Sequence, residues 1–130
     1  MLYGEEQIKN AKLEVFENRT KHRDYEVAFT ITEFTCVCPR SGFPDFATLY
    51  ITYFPKQWCI ELKSLKLYIN KFRDQKVFHE DVVNVILDDL VEVLSPQYIE
   101  VVGDFNVRGN IKTVMTASHG EKPQLSQPSA

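Results

Sequence analysis

The chain has 130 residues, the size of one domain, with 44% hydrophobic and 25% charged residues, both ordinary for a globular fold. A net charge of -3 excludes the broad basic footprint of a nucleic-acid binder but leaves room for a local anion site. No apolar run reaches the length of a membrane span and the first ten residues, MLYGEEQIKN, are too polar for a secretory signal, so a cytoplasmic protein is expected.

Residues 1–24 are polar without a clean period and read as an N-terminal arm with little regular structure. Residues 26–36, EVAFTITEFTC, are rich in β-branched and aromatic side chains and predict a strand. CPRSGFPD then sets two prolines and a glycine in eight residues and must be a shaped loop. Residues 46–54, FATLYITYF, predict a second strand, with Phe46, Thr48, Tyr50 and Thr52 on one face and Ala47, Leu49, Ile51 and Tyr53 on the other. Pro55 and Lys56 make a turn, and Trp58 to Leu62 reads as a third short strand.

The period then changes. Leu65, Tyr68, Ile69 and Phe72 recur at helical spacing behind Ser64, which predicts a helix with Ser64 as its N-cap. His79 to Leu94 predicts a second helix, its stripe built from Val82, Val83, Ile86, Leu87, Leu90 and Leu94, and Pro96 ends it. Residues 97–107 read as a fourth strand, RGN as a tight turn, and IKTVMTA as a last strand pairing back. Residues 119–130 belong to a Ser/Pro/Gln-rich, disordered tail, so the domain is 1–118. Strands, two helices, then strands predict an α+β domain: an antiparallel sheet with both helices on one face. The other face and two edges stay uncovered, which predicts assembly with copies of itself.

Cys36, Cys38 and Cys59 are odd in number, and the C-x-C pair lacks the further ligands of a zinc site, so no metal is expected. Cys38 reads either as a small buried hydrophobe or as a reactive thiol, because it opens a rigid loop that also holds Arg40 and Asp45. Asp45 is a turn residue or a proton shuttle; its charge alone would raise a neighbouring thiol's pKa. His79, Glu80 and Asp81 open the second helix, where acidic residues suit the dipole; the Glu80 carboxylate would also accept two parallel hydrogen bonds from a guanine-like edge. Lys63, Ser64 and Lys66 at the first helix start form an anion site or a solvated helix end, and Arg108-Gly109 a phosphate contact or only a turn. There is no G-x-G-x-x-G and no P-loop, so any dinucleotide binds outside a Rossmann unit.

Together CPRSGFPDFATLYITYFP, ELKSLKLYINKFR, FHED and YIEVVGDFNVRGN resemble the NADPH-dependent 7-cyano-7-deazaguanine reductases of queuosine biosynthesis, of the short single-domain type. The resemblance implies the tunnelling fold shared with GTP cyclohydrolase I, and homo-oligomeric rings, a pentamer or two stacked pentamers with active sites between subunits. It implies Cys38 as the nucleophile that forms a thioimide with the nitrile, and Asp45 as proton donor. Ile60, Glu61, Leu62, His79 and Glu80 would hold the 7-deazaguanine ring; Leu62, Lys63, Ser64, Lys66, Arg108 and Gly109 would face NADPH. Leu62 stands where many members have Ser. No nucleic acid, membrane or metal is implied as a direct partner. Three other readings compare less well. A related amidinotransferase would lack the E-L-K-S-L-K-L-Y motif, a non-catalytic purine-binding module has no use for Cys38 with Asp45, and a cyclohydrolase-like enzyme needs zinc ligands.

Overall fold

The structure, a computed structural model, describes residues 1–125. In chain order it contains α1 (Tyr3–Lys9), β1 (Val15–Glu17), β2 (Val27–Val37), β3 (Pro44–Phe54), β4 (Trp58–Ile60), α2 (Leu62–Asn70), a 3-10 turn (Lys71–Asp74), α3 (His79–Leu94), β5 (Tyr98–Arg108) and β6 (Ile111–Gly120). Four strands form an antiparallel sheet in the order β2-β3-β5-β6, and β1 pairs with β4 in a separate antiparallel pair. The predicted α+β order holds, and no helix among the described residues is long and apolar enough to cross a membrane.

The alternation read from β3 is realised. Ala47, Leu49, Ile51 and Tyr53 are buried beneath the helices, while Phe46 and Tyr50 are exposed on the opposite face. All six stripe residues of α3 are buried, and each such side chain contributes about 1.5–3 kcal/mol. That burial docks α3 firmly and fixes the position of its first residue, His79.

Four expectations are corrected. The N-terminal arm carries regular structure: α1, and a strand whose Val15 pairs with Ile60. It is held by groups that leave no apolar period. The buried Asn18 donates to the Lys56 carbonyl and accepts from Thr20 N and Tyr25 Oη, and Glu61 N donates to Glu14 O. The third strand ends at Ile60, because Glu61 caps α2 in place of Ser64, accepting from Lys63 N at 2.8 Å and Ser64 N at 2.7 Å. The last strand runs on to Gly120. Of the expected tail, Glu121–Leu125 have no regular structure and residues 126–130 lie outside the described residues.

Two β-bulges interrupt the sheet. In β2 the register with β3 shifts by one between Ile31 and Phe34; in β5 the register with β6 shifts by one between Phe105 and Arg108. An extra residue reverses which face the following side chains occupy. The first bulge turns Phe34, Cys36 and Cys38 onto the helix-covered face, and the second turns Arg108 the same way.

Candidate active site

The β2–β3 hairpin closes on Cys38. Its N–H donates to Phe43 O at 2.9 Å and its carbonyl accepts from Gly42 N at 2.9 Å. Gly42 has φ +74°, the left-handed conformation that favours glycine. The loop backbone therefore wraps the Cys38 thiol. Hydrogen bonds from the Ser41 hydroxyl, with the Ser41 and Arg40 backbone, lower its pKa below that of an ordinary thiol, against burial and the Asp45 carboxylate, which push it up. Cys36, one pleat back and paired with Asp45 across the hairpin, goes the other way: burial raises its pKa to about 11. Cys59 is buried beside Tyr25 Oη at 3.5 Å.

Asp45 is 5% exposed and is held at both oxygens. Oδ1 accepts from Arg108 Nη1 at 2.9 Å, and Oδ2 lies 2.9 Å from His79 Nε2. The same Arg108 nitrogen donates to the Pro44 carbonyl. Arg108 leaves β5 through a two-residue turn, Gly109 (φ +55°) and Asn110 (φ +71°), which suits a tight hairpin. His79 is brought in by the strand end: Val37 N donates to Gln75 O and Val77 N to Val37 O, which ties the lead into α3 to the residue before Cys38. The His79 ring stacks on Phe105 at 4.0 Å and 11°. Glu80 follows, exposed, with no hydrogen-bond partner for its carboxylate among the described residues. The pattern thus brings together Cys38, Asp45, His79, Glu80, Arg108 and Gly109. Sequence reading missed Ser41 and Phe105; the C-P-R-S loop was the one available signal for Ser41.

The remaining predicted residues gather elsewhere. Ile60 is buried with its N–H donating to Tyr53 Oη at 3.0 Å. Glu61 spends both carboxylate oxygens on the helix cap, which lowers its pKa. Ser64 is 4% exposed; its hydroxyl accepts from Glu14 N at 3.0 Å and donates to Glu61 O at 2.8 Å. Leu62, Lys63 and Lys66 are exposed, and neither lysine has a carboxylate within ion-pair distance among the described residues. Tyr53 and Asp45 are eight residues apart on one strand, or ~26 Å. The two groups of predicted site residues therefore stand at opposite ends of β3 in one protomer.

Comparison with known proteins identifies the family. A family model described as QueF-like protein matches residues 44–124. Curated relatives named NADPH-dependent 7-cyano-7-deazaguanine reductase include one from Anaeromyxobacter, 57% identical over 111 residues and covering 85% of this chain and 91% of the relative. One from Synechocystis is 54% identical over 121 residues (92% and 88%), and one from Prochlorococcus marinus 48% over 125 residues (96% and 89%). Among solved structures, the apo crystal structure of an archaeosine synthase QueF-Like superposes with a TM-score of 0.66 at 18% identity, covering 77% of this chain and 96% of that one; it shows the tunnelling fold. The chain belongs to the QueF-like family and, within it, to the NADPH-dependent 7-cyano-7-deazaguanine reductases.

Proposed function

We propose that this chain reduces the nitrile of 7-cyano-7-deazaguanine to the aminomethyl group with NADPH, in the cytoplasm, as a step of queuosine biosynthesis. The observation that carries the reading is the meeting of an acidified thiol, Cys38, and a buried carboxylate, Asp45, on one sheet face of a chain 57% identical to a reductase of that name.

The Cys38 thiolate adds to the nitrile carbon; an S–C bond forms, the triple bond becomes C=N, and the nitrogen takes a proton, giving a thioimide. Asp45, held by His79 and Arg108, takes the proton that the Cys38 thiol gives up and returns it to that nitrogen. When bound, NADPH supplies hydride to that carbon, twice over the four-electron reduction. Cys38 departs as thiolate once the carbon is reduced to the imine level, and Asp45 passes on a proton again as nitrogen becomes the amine. Glu80 accepts two hydrogen bonds from the guanine-like edge beside His79. Ile60, Glu61 and Leu62 meet the ring through the main chain and the apolar Leu62 side chain, because the Glu61 carboxylate is committed to the cap.

The cationic residues suit the phosphates of NADPH. Lys63 and Lys66 are exposed without acidic partners among the described residues, and Arg108 has spent only Nη1. Leu62, 50% exposed, faces the cofactor, as does Gly109, whose missing Cβ leaves open space. Ser64, with its hydroxyl engaged inside the protomer, serves by holding the helix start.

The ~26 Å separation along β3 supports active sites formed between subunits. β2 and β6 are the sheet's two edges, and beside β2 runs a groove of about 700 Å³ lined by Phe29, Ile31, Leu62, Leu65 and Lys66. A neighbouring copy whose β6 joins β2 would bring its Asp45 group toward this subunit's Lys63 group, closing a ring of five, alone or stacked in pairs. The archaeosine synthase reading is weaker, with 18% identity against 48–58% for the reductases.

Incubating the protein with 7-cyano-7-deazaguanine and no NADPH should add the mass of the substrate to the peptide that holds Cys38. With NADPH, its absorbance should fall only when the nitrile is present. An adduct on Cys36 or Cys59, or oxidation without nitrile, would overturn the assignment.

A further inference from the structure

The His79–Asp45 contact rests on a residue with no chemistry of its own. Phe105 lies flat beneath the imidazole, ring centroids 4.0 Å apart and planes 11° from parallel, and is 1% exposed. It does not choose that plane freely. Gly103, two residues earlier on the same face of β5, leaves the space the ring occupies: a Cβ built there would lie 2.9 Å from Phe105 Cε2 and 2.7 Å from Val83 Cγ2. Across the strand, Phe105 pairs with Ala47, whose small side chain makes room next to Asp45. On its far side Phe34 meets it edge-on at 6.5 Å and 88°, and Phe34 is itself backed by Phe72. The ring is thus held by a glycine, an alanine and a second aromatic, and one of its faces is covered by His79.

We infer that Phe105, seated on Gly103, is a positioning residue: it sets the plane of the His79 imidazole and so aims Nε2 at Asp45. This deepens the reading of Asp45 as proton donor and rests on it. A His free to turn about χ2 would spend part of its time with Nε2 away from the carboxylate, and loss of that alignment is felt in the rate of proton delivery. The charged group that meets His79 is Asp45 on β3, which in turn meets Arg108 on β5 and lies near Cys36 on β2 and Cys38 just after it; Glu80 and Asp81 follow His79 on its own helix.

The test is Phe105→Leu, which keeps apolar bulk and loses the plane. Nitrogen NMR of the His79 side chain in the ligand-free protein, with His79→Gln to assign the signals, reads the contact directly. Phe105→Leu should move the Nε2 resonance of His79, shift the pH profile of nitrile reduction, and slow reduction about tenfold. A Phe105→Leu protein that is merely less stable, with wild-type His79 resonances and pH profile, overturns the inference. Should that variant fail to fold, Gly103→Ala carries the test, with the same shift expected and the same overturning result. Adding Val83→Ala to Gly103→Ala relieves only the clash with α3; recovery of the wild-type His79 signals in that double variant would also overturn the role of Phe105. The NMR measurement needs no substrate, so a wild-type protein that does not oxidise NADPH would sink the proposed reaction and leave this inference to stand or fall on its own.

Discussion

His79 Nε2 stands 2.9 Å from Asp45 Oδ2, and that contact joins the first residue of α3 to the second residue of β3. It makes Asp45 a carboxylate with no free side: Arg108 takes the other oxygen. Asp45→Asn keeps the shape, keeps an acceptor for Arg108 and cannot donate a proton at neutral pH. The thioimide should still form on Cys38, more slowly, and NADPH consumption should drop by a factor on the order of 10² to 10⁴. Mass spectrometry of the adduct beside the rate of NADPH loss separates the two steps. Wild-type reduction by this variant would remove Asp45 from the proton path.

The lowered pKa of Cys38 has a named cause, and the cause can be removed. Ser41 donates by hydroxyl and backbone to the thiolate, outweighing burial and the Asp45 charge. The thiolate is the reactive form, so adduct formation rises with pH through the Cys38 pKa, at a pH below that of an ordinary thiol. Ser41→Ala loses the largest stabilising contact. Its inflection should move up in pH, with slower adduct formation at neutral pH and a matching rate at high pH. A pH series of stopped-flow adduct formation on both proteins decides it; coincident profiles would mean that Ser41 leaves the thiol untouched.

The four strands of the main sheet, both long helices and the C-P-R-S-G-F-P-D loop are legible because each is a local pattern: alternation in Ala47 to Tyr53, a 3.6 period in Val82 to Leu94, two prolines around Gly42. What joined them was not. Cys38 and Arg108 reach the Asp45 face only because β2 and β5 each carry one extra residue, and neither TITEF nor FNVR marks a bulge by composition. The arm was misread for a similar reason, since one buried Asn18 and backbone pairing to Ile60 hold it where periodicity is silent. Glu61 took the cap from Ser64 because a carboxylate at that position satisfies two backbone N–H groups, while the Ser64 hydroxyl is drawn inward by Glu14.

Tyr53 links the far end of β3 to the end of β4, just ahead of α2, through its buried hydroxyl, which accepts from Ile60 N. Tyr53→Phe leaves that N–H unpaired and should cost about 1–3 kcal/mol by denaturant unfolding at neutral pH. Its pH signature is separate. Burial raises the pKa of Tyr53 and of Tyr25 to about 12, and that of Cys36 to about 11. Groups whose folded pKa is raised stabilise fully below their unfolded values and lose that contribution as pH climbs through the folded ones. Stability should therefore decline from roughly pH 9 upward, and Tyr53→Phe should decline less steeply than the parent in the upper part of that range. Parallel slopes would show that Tyr53 ionises as freely folded as unfolded.

Glu80 distinguishes ring recognition from helix electrostatics. If its carboxylate accepts from a ring N–H and an amino group, Glu80→Gln turns one acceptor into an NH₂ facing a donor. Substrate binding should weaken by roughly 2 kcal/mol or more. A carboxylate that only favours the α3 dipole would cost well under that, in stability and not in affinity. Calorimetric binding and denaturant unfolding on the same variant give opposite answers for the two roles, and unchanged affinity would return Glu80 to the helix.

The separation of the two half-sites along β3 makes a prediction that no single substitution can. Asp45→Asn disables the group at one end of the sheet; Lys63→Ala with Lys66→Ala disables the group at the other. If every active site takes one half from each of two neighbours, neither protein works alone. Co-expressed from differently tagged genes and purified through both tags, the mixed assemblies of the proposed rings would contain interfaces at which an intact Asp45 group faces an intact lysine group. With random placement of two kinds of subunit in equal amount, each half is intact with a chance of one in two, so about a quarter of the wild-type NADPH oxidation should return. Sites contained within one subunit predict none, because every protomer then carries one broken half. Activity in the mixed rings no higher than in either parent, with assembly verified by mass photometry, would place both half-sites in a single chain and contradict the ~26 Å spacing on which the shared site rests.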